Sequence, residues 1–178
     1  MKRLYLITAV SIALLIISFF FDNQILEFIF SLNLGFLKSA MILLDHWITS
    51  AILFLVIPTI ILFRKRNKLM FLWLSLVLSF LVATILKILV ARERPGFALI
   101  SEDTFSFPSR HAIIAFTILP FMFKETRSWY WWIIAIFIGL SRLILGAHYL
   151  SDVIAGALIG YYIGYFLLIF YKKRKILL

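Results

Sequence analysis

Residues 69–90 read LMFLWLSLVLSFLVATILKILV, an apolar run whose only charged side chain is Lys87. A transmembrane helix needs roughly 20 mostly apolar residues, so this stretch predicts a helix that crosses a bilayer. The basic cluster RKRNK at residues 64–68 precedes the run, and ARERP at residues 91–95 follows it. The chain of 178 residues is 64% hydrophobic, whereas a soluble domain is usually about half apolar. The fold therefore has to bury apolar surface against lipid.

Five further runs have a composition suited to membrane helices. The predicted spans are Leu4–Phe21, a second that begins between Lys38 and Ile48 and ends at Phe63, Leu69–Val90, and three at about Ser109–Phe123, Trp129–Leu145 and Asp152–Tyr171. Residues 24–37 are apolar but carry Glu27 and Asn33, which predicts an amphipathic helix in the membrane interface. The predicted fold class is all-α: a six-span transmembrane helical bundle with an amphipathic interfacial helix between spans one and two. Residues 1–178 are expected to form a single domain.

The distribution of basic residues predicts the orientation. Most of the 18 lysines and arginines lie at residues 2–3, 64–68, 124–127 and 172–175. Six spans with a cytoplasmic N-terminus place all four clusters inside, whereas a seventh span at residues 24–44 would move 64–68 outside. We therefore expect a protein of the inner (cytoplasmic) membrane with both termini in the cytoplasm. Because the charges flank apolar runs, the net charge of +10 does not indicate a nucleic-acid partner.

The remaining charged residues of interest lie at the opposite, outer ends of the predicted spans. A charge within a membrane is costly, so such groups are functional candidates, although any one of them could simply extend to the headgroups. Arginine matches phosphate oxygens with a planar fork and lysine adds a point charge, so together the group predicts an oxyanion site. Its members are Lys87, Arg92, Arg94, Arg110, Arg142, His111, His148 and Asp152.

Two local patterns bear on this oxyanion site. Lys87 and Arg94 are seven residues apart, so one helical face would carry both if the helix continued that far before Pro95. Pro108 followed by Ser109 predicts a helix start, where free backbone N–H groups can face an anion. An ordinary helix cap with solvated neighbours fits the same two residues.

His148 and Asp152 are four residues apart and would share a face on a helix. A carboxylate there can fix the imidazole tautomer and make the other ring nitrogen a better nucleophile or base. A pair of interfacial polar residues, or two zinc ligands, is the alternative. The HExxH motif is absent, there is no cysteine, and the surrounding cations would repel a divalent ion. We therefore expect no metal and no cofactor.

The three segments in chain order are Lys87-x6-Arg94-Pro95, Pro108-Ser109-Arg110-His111 and Ser141-Arg142-x5-His148-x3-Asp152. Together they resemble the tripartite signature of the type 2 phosphatidic acid phosphatases, which are relatives of the vanadium haloperoxidases. Three separated blocks at fixed spacing are far more specific than one motif. The small size and short loops are similar to those of bacterial members, including lipid A 1-phosphatases and undecaprenyl diphosphatases.

The resemblance implies hydrolysis of a membrane lipid phosphate on the outer face of the membrane through a phosphohistidine intermediate. It implies that His148 attacks phosphorus, that Asp152 orients it, and that His111 protonates the leaving alkoxide and then activates water. The family usually has glycine at position 110, so Arg110 alters the lip of the expected pocket. The residues expected to bind phosphate are Lys87, Arg94, Ser109, Arg110 and Arg142.

Several alternatives stay open at this point. The lipid could be lipid A 1-phosphate, undecaprenyl diphosphate, phosphatidylglycerophosphate or phosphatidic acid. The protein could instead be a phosphotransferase to an acceptor other than water, or a non-catalytic membrane protein that binds or transports an anion. Gly156, Gly160 and Gly164 form a small-residue stripe, which predicts either internal helix packing or a dimer face.

Overall fold

The computed structural model describes residues 2–32, 34–96, 98–100 and 104–177. Over these ranges it contains helices and connecting segments but no strand, so the all-α prediction is confirmed. The elements are α1 (Lys2–Ser31), α2 (Gly35–Asp45), α3 (Trp47–Ala51), a π-helix (Ile52–Val56), α4 (Ile57–Leu62), α5 (Arg66–Val90), α6 (Arg110–Thr126), α7 (Tyr130–Ile144) and α8 (Leu150–Leu177).

Three helices are long and apolar enough to cross a membrane, over Thr8–Ser31, Arg66–Val90 and Leu150–Arg174. Helix α2 and the stretch Thr49–Leu62 form a pair bent by 67°, which makes a fourth span if the two halves are counted together. Helix α7 is apolar but shorter. Length and composition thus support three or four spans, and the six-span count stays a prediction.

The interfacial helix predicted over residues 24–37 does not form with those bounds. Helix α1 runs on through Ser31, and a new helix begins only at Gly35. The sequence predicts that the first span ends at Phe21, directly before the charged Asp22. Asp22 is instead 3% exposed and bound to partners inside the protein, so it does not need water and the helix continues past it. Whether α2 lies in the membrane interface stays a prediction.

Helices α6 and α8 pack at very short distance along the glycine stripe. A Cβ atom added at Gly156 would lie 2.7 Å from the carbonyl oxygen of Ser109, and one at Gly160 or Gly164 would lie 2.1 Å from the carbonyl oxygen of Ile113 or Thr117. The stripe is therefore covered by α6 within the chain and is not a free dimer face. The oligomeric state itself stays a prediction.

This packing also sets the start of α6 against the start of α8. The backbone N–H of Ser109, just before α6, donates to the carbonyl oxygen of Asp152 in the first turn of α8 at 3.1 Å. Below this contact the buried apolar core includes Ile118, Leu119, Phe121 and Met122 of α6. The polar groups predicted from the sequence thus collect at one end of a packed helical core.

Candidate active site

His148 and Asp152 form a buried pair at the start of α8. Atom Nδ1 of His148 lies 3.5 Å from Oδ2 of Asp152, and the two residues are 1% and 0% exposed. The two residues do not share a helical face, because α8 begins at Leu150 and His148 belongs to the connection that follows Gly146, whose φ is 63°. The pair still meets because Asp152 reaches back over the first turn and accepts from the backbone N–H of Tyr149 at 2.9 Å.

The environment of His148 favours a neutral imidazole. Burial is the largest cause, and with the positive charges of Arg142 and Arg94 it lowers the pKa of His148 to about 4, against the opposing effect of Asp152. On the ring edge away from Asp152, Nε2 lies 3.4 Å from Nη1 of Arg94. His148 is therefore unprotonated near neutral pH, with one nitrogen facing a carboxylate and the other facing a cation.

Asp152 is held by three groups besides His148. Its Oδ2 accepts a hydrogen bond from the hydroxyl of Ser106 as well as the Tyr149 N–H. Its Oδ1 accepts from Nη1 of Arg92 at 2.7 Å. A buried carboxylate with this many donors stays ionised and in one orientation.

Lys87 and Arg94 approach the same segment, but not because they share a helical face. Helix α5 ends at Val90, as predicted, and Ala91 has a left-handed φ of 47°, so the helix does not continue to Arg94. The turn nevertheless brings both side chains to residues 104–106. Because Lys87 is 4% exposed, it is a buried cation that needs hydrogen-bond acceptors close to its ammonium group.

Within the described part of the chain, both cations bond to backbone carbonyls. Lys87 donates to the carbonyl oxygens of Phe105 and Ser106, the latter at 3.2 Å. Arg94 donates through Nε to the carbonyl oxygen of Thr104 at 2.6 Å and through Nη1 to that of Ala147 at 2.7 Å. Both cations thus fix the loop between α5 and α6 beside His148.

The start of α6 agrees with the predicted helix cap. Ser109 is fully buried, and its hydroxyl accepts from the N–H of Ala112 at 3.5 Å. Arg110 follows, with Nη2 3.4 Å from the hydroxyl of Thr104. The side chain of His111 is 27% exposed and close enough to Arg142, His148, Arg110 and Arg94 for electrostatic interaction.

Asp45 enters this cluster from α2 and was not predicted. Arg142, which is 1% exposed in the last turn of α7, donates through Nη1 to Oδ1 of Asp45. The same oxygen lies 3.6 Å from Nε2 of His111. Oδ1 of Asp45 therefore lies between Arg142, a predicted phosphate ligand, and His111, the predicted general acid.

Arg92 does not belong with the oxyanion group as predicted. Its Nη2 donates to Oδ2 of Asp22 at 2.8 Å, while its Nη1 donates to Asp152 and, at 2.6 Å, to the hydroxyl of Ser151. The guanidinium thus lies behind the His148–Asp152 pair, where it bonds to the carboxylates of Asp22 and Asp152. The prediction that all five cations converge on one anion is wrong for this residue.

Sequence reasoning missed four polar residues around the site, namely Asp22, Asp45, Ser106 and Ser151. A signal for two of them was present, since the chain has only eight acidic residues and Asp22 and Asp45 both adjoin apolar runs. A carboxylate so placed needs a buried cation. The serines carry no such signal, because serine is common in membrane helices and loops alike.

The fold and the site together define the class of this protein. It is a helical membrane protein that has a buried His–Asp pair, two flanking arginines and a second histidine. The sequence model of the PAP2 superfamily matches residues 68–176, which include every residue of the pair, the two flanking arginines and the second histidine. The chain belongs to the PAP2 superfamily. The resemblance drawn from the three sequence blocks is therefore confirmed.

Curated relatives align over parts of the chain. It is 47% identical over 57 residues to the bacitracin transport permease protein BcrC of Bacillus licheniformis, which covers 31% of this chain and 28% of that protein. It is 37% identical over 94 residues to phosphatidylglycerophosphatase B of Bacillus subtilis, covering 45% and 46%. An undecaprenyl-diphosphatase of Sulfolobus acidocaldarius is 27% identical over 159 residues, covering 82% and 76%. The aligned regions thus span less than half of the first two relatives.

Solved structures resemble the whole fold. A transmembrane PAP2 type phosphatidylglycerolphosphate phosphatase from Bacillus subtilis superposes with a TM-score of 0.74 at 25% identity, over 93% of this chain and 96% of that one. LpxE of Aquifex aeolicus superposes with a TM-score of 0.66 at 26% identity, over 83% and 94%. The arrangement of helices around the site is therefore that of membrane PAP2 proteins.

Proposed function

We propose that this protein hydrolyses a membrane lipid phosphate through a phosphohistidine on His148. The observation that carries the proposal is the setting of His148: a buried, neutral imidazole with Nδ1 toward Asp152 and Nε2 beside Arg94. A nucleophile needs a free electron pair, and an orienting carboxylate keeps it on the nitrogen that faces the substrate. The names of the relatives support the lipid phosphate as substrate class.

The reaction has two steps. First, Nε2 of His148 bonds to phosphorus, the bond to the lipid oxygen breaks, and His111 gives a proton to the departing alkoxide. Second, water attacks the phosphorus, the P–N bond breaks back to His148, and His111 takes the proton of the water. Arg94 and Arg142 hold the equatorial oxygens, where charge develops during phosphoryl transfer. Lys87 and Ser109 support the same oxygens from the loop and the helix start.

An apolar groove beside the site supports a lipid rather than a soluble phosphate. It has a volume of about 590 Å³ and reaches from Asp45 and His111 between α3, the π-helix and α5. Its apolar lining includes Phe54, Leu55, Trp73, Val77, Phe80 and Leu81. Several of these side chains are exposed on the surface that meets lipid, such as Val77 and Leu81. A hydrocarbon chain can lie there while its phosphate reaches the histidines.

The test is phosphate release by the purified protein in detergent from lipid A, undecaprenyl diphosphate, phosphatidylglycerophosphate and phosphatidic acid. His148→Ala should abolish turnover, and Asp152→Asn should lower kcat far more than it raises KM, since an orienting carboxylate acts on rate. Quenching in alkaline detergent should preserve an acid-labile phosphoenzyme in the wild type, and none should form in His148→Ala. A phosphoenzyme that discharges only to added alcohols would indicate a phosphotransferase, and binding without any phosphoenzyme would indicate an anion-binding protein.

The proposed chemistry is independent of metal. Arginine and lysine supply the charge neutralisation that a divalent ion provides in many phosphoryl-transfer enzymes. Among the described residues, no three His, Asp or Glu side chains are grouped as a metal would require.

We also propose that the site faces the periplasm or the exterior, as the basic clusters predict. The chain has no cysteine, so a single cysteine at Leu99, in the loop near the site, and another at Lys173, near the end of α8, can be labelled with an impermeant reagent on intact cells. We expect labelling of the cysteine at position 99 alone. Labelling of the cysteine at position 173 alone would show that the protein has the opposite orientation.

Arg110 supports a substrate with a second anionic group. With His111, Thr104 and Phe54 it lines a pocket of about 420 Å³ next to the groove, so its guanidinium adjoins the place where a lipid headgroup would sit. A charge-assisted contact contributes about 1.5–3 kcal/mol, or roughly a ten- to hundredfold change in kcat/KM. Arg110→Gly should keep activity on phosphatidic acid and lose at least about tenfold on a lipid with two phosphates. A parallel change in both specificity constants refutes this contact.

A further inference from the structure

A second carboxylate lies behind the catalytic pair, on the first helix. Asp22 of α1 is 3% exposed. Its Oδ1 accepts from the N–H of Ser151 at 2.9 Å, and its Oδ2 accepts from the hydroxyl of Ser151 and, at 2.8 Å, from Nη2 of Arg92. No step of the proposed reaction uses Asp22, and the superfamily match begins only at residue 68.

Arg92 connects this carboxylate to the site. Its guanidinium donates to Asp22 through one terminal nitrogen and to Asp152 through the other, the latter at 2.7 Å. The rings of Tyr149 and Phe19 cover it, with the guanidinium carbon 4.0 Å and 5.3 Å from their centroids. Its side chain is only 23% exposed. One cation is thus shared by two buried carboxylates in a setting that water screens poorly.

The charges in this group do not cancel. A guanidinium paired with Asp152 alone would neutralise it and weaken its field at His148. With Asp22 present, the two carboxylates and one guanidinium keep a net negative charge beside the imidazole. His148 gains positive charge as Nε2 bonds to phosphorus, since Nδ1 keeps its proton. A net negative group at that edge therefore stabilises the transition state more than the ground state.

We infer that Asp22 and Arg92 are positioning residues for the reaction: Arg92 fixes the Asp152 carboxylate, and Asp22 balances the charge of Arg92 so that Asp152 remains an effective anion toward His148. The inference rests on the proposed phosphohistidine chemistry. It assigns to α1, outside the matched region, a part in setting the rate of phosphoryl transfer.

The test compares Asp22→Asn with a control on the same helix face. Ser18 lies one turn earlier, is 4% exposed, and donates to the carbonyl oxygen of Leu15 within α1, so Ser18→Ala removes a buried polar group without changing charge. Asp22→Asn should lower kcat and the rate of phosphoenzyme formation about tenfold, with KM within about twofold of the wild type. Ser18→Ala should leave both constants near the wild-type values.

A double-mutant cycle separates this role from anchoring of α1. Arg92→Gln should lower kcat clearly less in the Asp22→Asn background than in the wild type. Without the Asp22 charge, Arg92 already neutralises Asp152, so removing Arg92 has less to disturb. A normal kcat in Asp22→Asn with only a lower Tm would overturn the inference. If Asp22→Asn does not fold, the single variant Arg92→Gln tests the inference. An unchanged kcat in Arg92→Gln would refute the positioning role of Arg92. Absence of phosphoenzyme in the wild type and in Ser18→Ala would instead be a failure of the proposed function.

Discussion

Replacement of Gly160 by alanine tests whether the closeness of α6 and α8 builds the site. The added Cβ atom would lie 2.1, 2.8 and 2.9 Å from the carbonyl oxygen, carbonyl carbon and Cα of Ile113. All three are backbone atoms of a helix, so no side chain can rotate out of the way. Normal packing distances require the two helices to separate by about 1 Å at this point. Overpacking of this kind costs about 1–3 kcal/mol of stability.

The separation should also reach the catalytic groups. Ile113 is two residues after His111 on α6, and Gly160 lies roughly two turns after Asp152 on α8. A misplacement of about 1 Å between reacting groups can lower the rate by about a hundredfold. Because the hydrogen bond from Ser109 to Asp152 resists the movement, we expect a loss of roughly ten- to a hundredfold in kcat/KM.

Phosphate release from a lipid substrate and Tm in detergent measure the two effects. Gly35→Ala is the control, since an added Cβ meets nothing within 4 Å there. Gly164→Ala creates the same 2.1 Å overlap, with Thr117, one turn further from the site. It should therefore lose as much stability as Gly160→Ala but less activity. Wild-type kcat/KM and Tm in Gly160→Ala would refute the reasoning.

Three other outcomes are expected. Replacing His111 by alanine should harm lipid esters more than p-nitrophenyl phosphate, because a good leaving group needs little protonation; equal losses argue against His111 as the acid. Activity should persist in EDTA, and turnover that is lost and then restored by a divalent ion contradicts metal independence. The unfolded chain takes up a proton on His148 as pH falls from 6.5 towards 4, while the folded chain does not, so stability should fall across this window. His148→Gln should lessen that fall in a series of Tm against pH, and parallel series for the two proteins count against the shifted pKa.

The elements that local sequence specifies were predictable. Apolar runs bounded by charge clusters predicted the helices around residues 69–90 and 152–171, since length and composition alone decide such segments. Ser109 predicted the start of α6 because a helix cap is a local device. The spacing of His148 and Asp152 predicted their contact, although the geometry is that of a helix start rather than of a helix face.

The assignment of charges to partners was not predictable. Arg92 and Arg94 are two residues apart at the same predicted depth. Among the residues that the structure describes, Arg92 bonds to two carboxylates, whereas Arg94 bonds to the backbone carbonyls of Thr104 and Ala147. The choice depends on where α1 and the loop at residues 104–106 arrive, which is a property of tertiary packing. The end of α5 at Val90 agrees with the predicted span, but the left-handed conformation of Ala91 that turns the chain there was not predictable, because alanine does not favour it locally.

The partners found for the predicted phosphate ligands bear on how substrate binds. Lys87 and Arg94 already bond to carbonyl oxygens, and Arg142 bonds to Asp45. A buried cation without an acceptor would be costly, so these contacts stabilise the buried cations. A phosphate that enters beside Arg142 meets the Asp45 carboxylate as a like charge at close range. Asp45 ends α2, directly before the bend of 67° that separates α2 from the following helical stretch. In the proposed reaction, a phosphate held by Arg142 therefore has to displace Asp45 from the guanidinium.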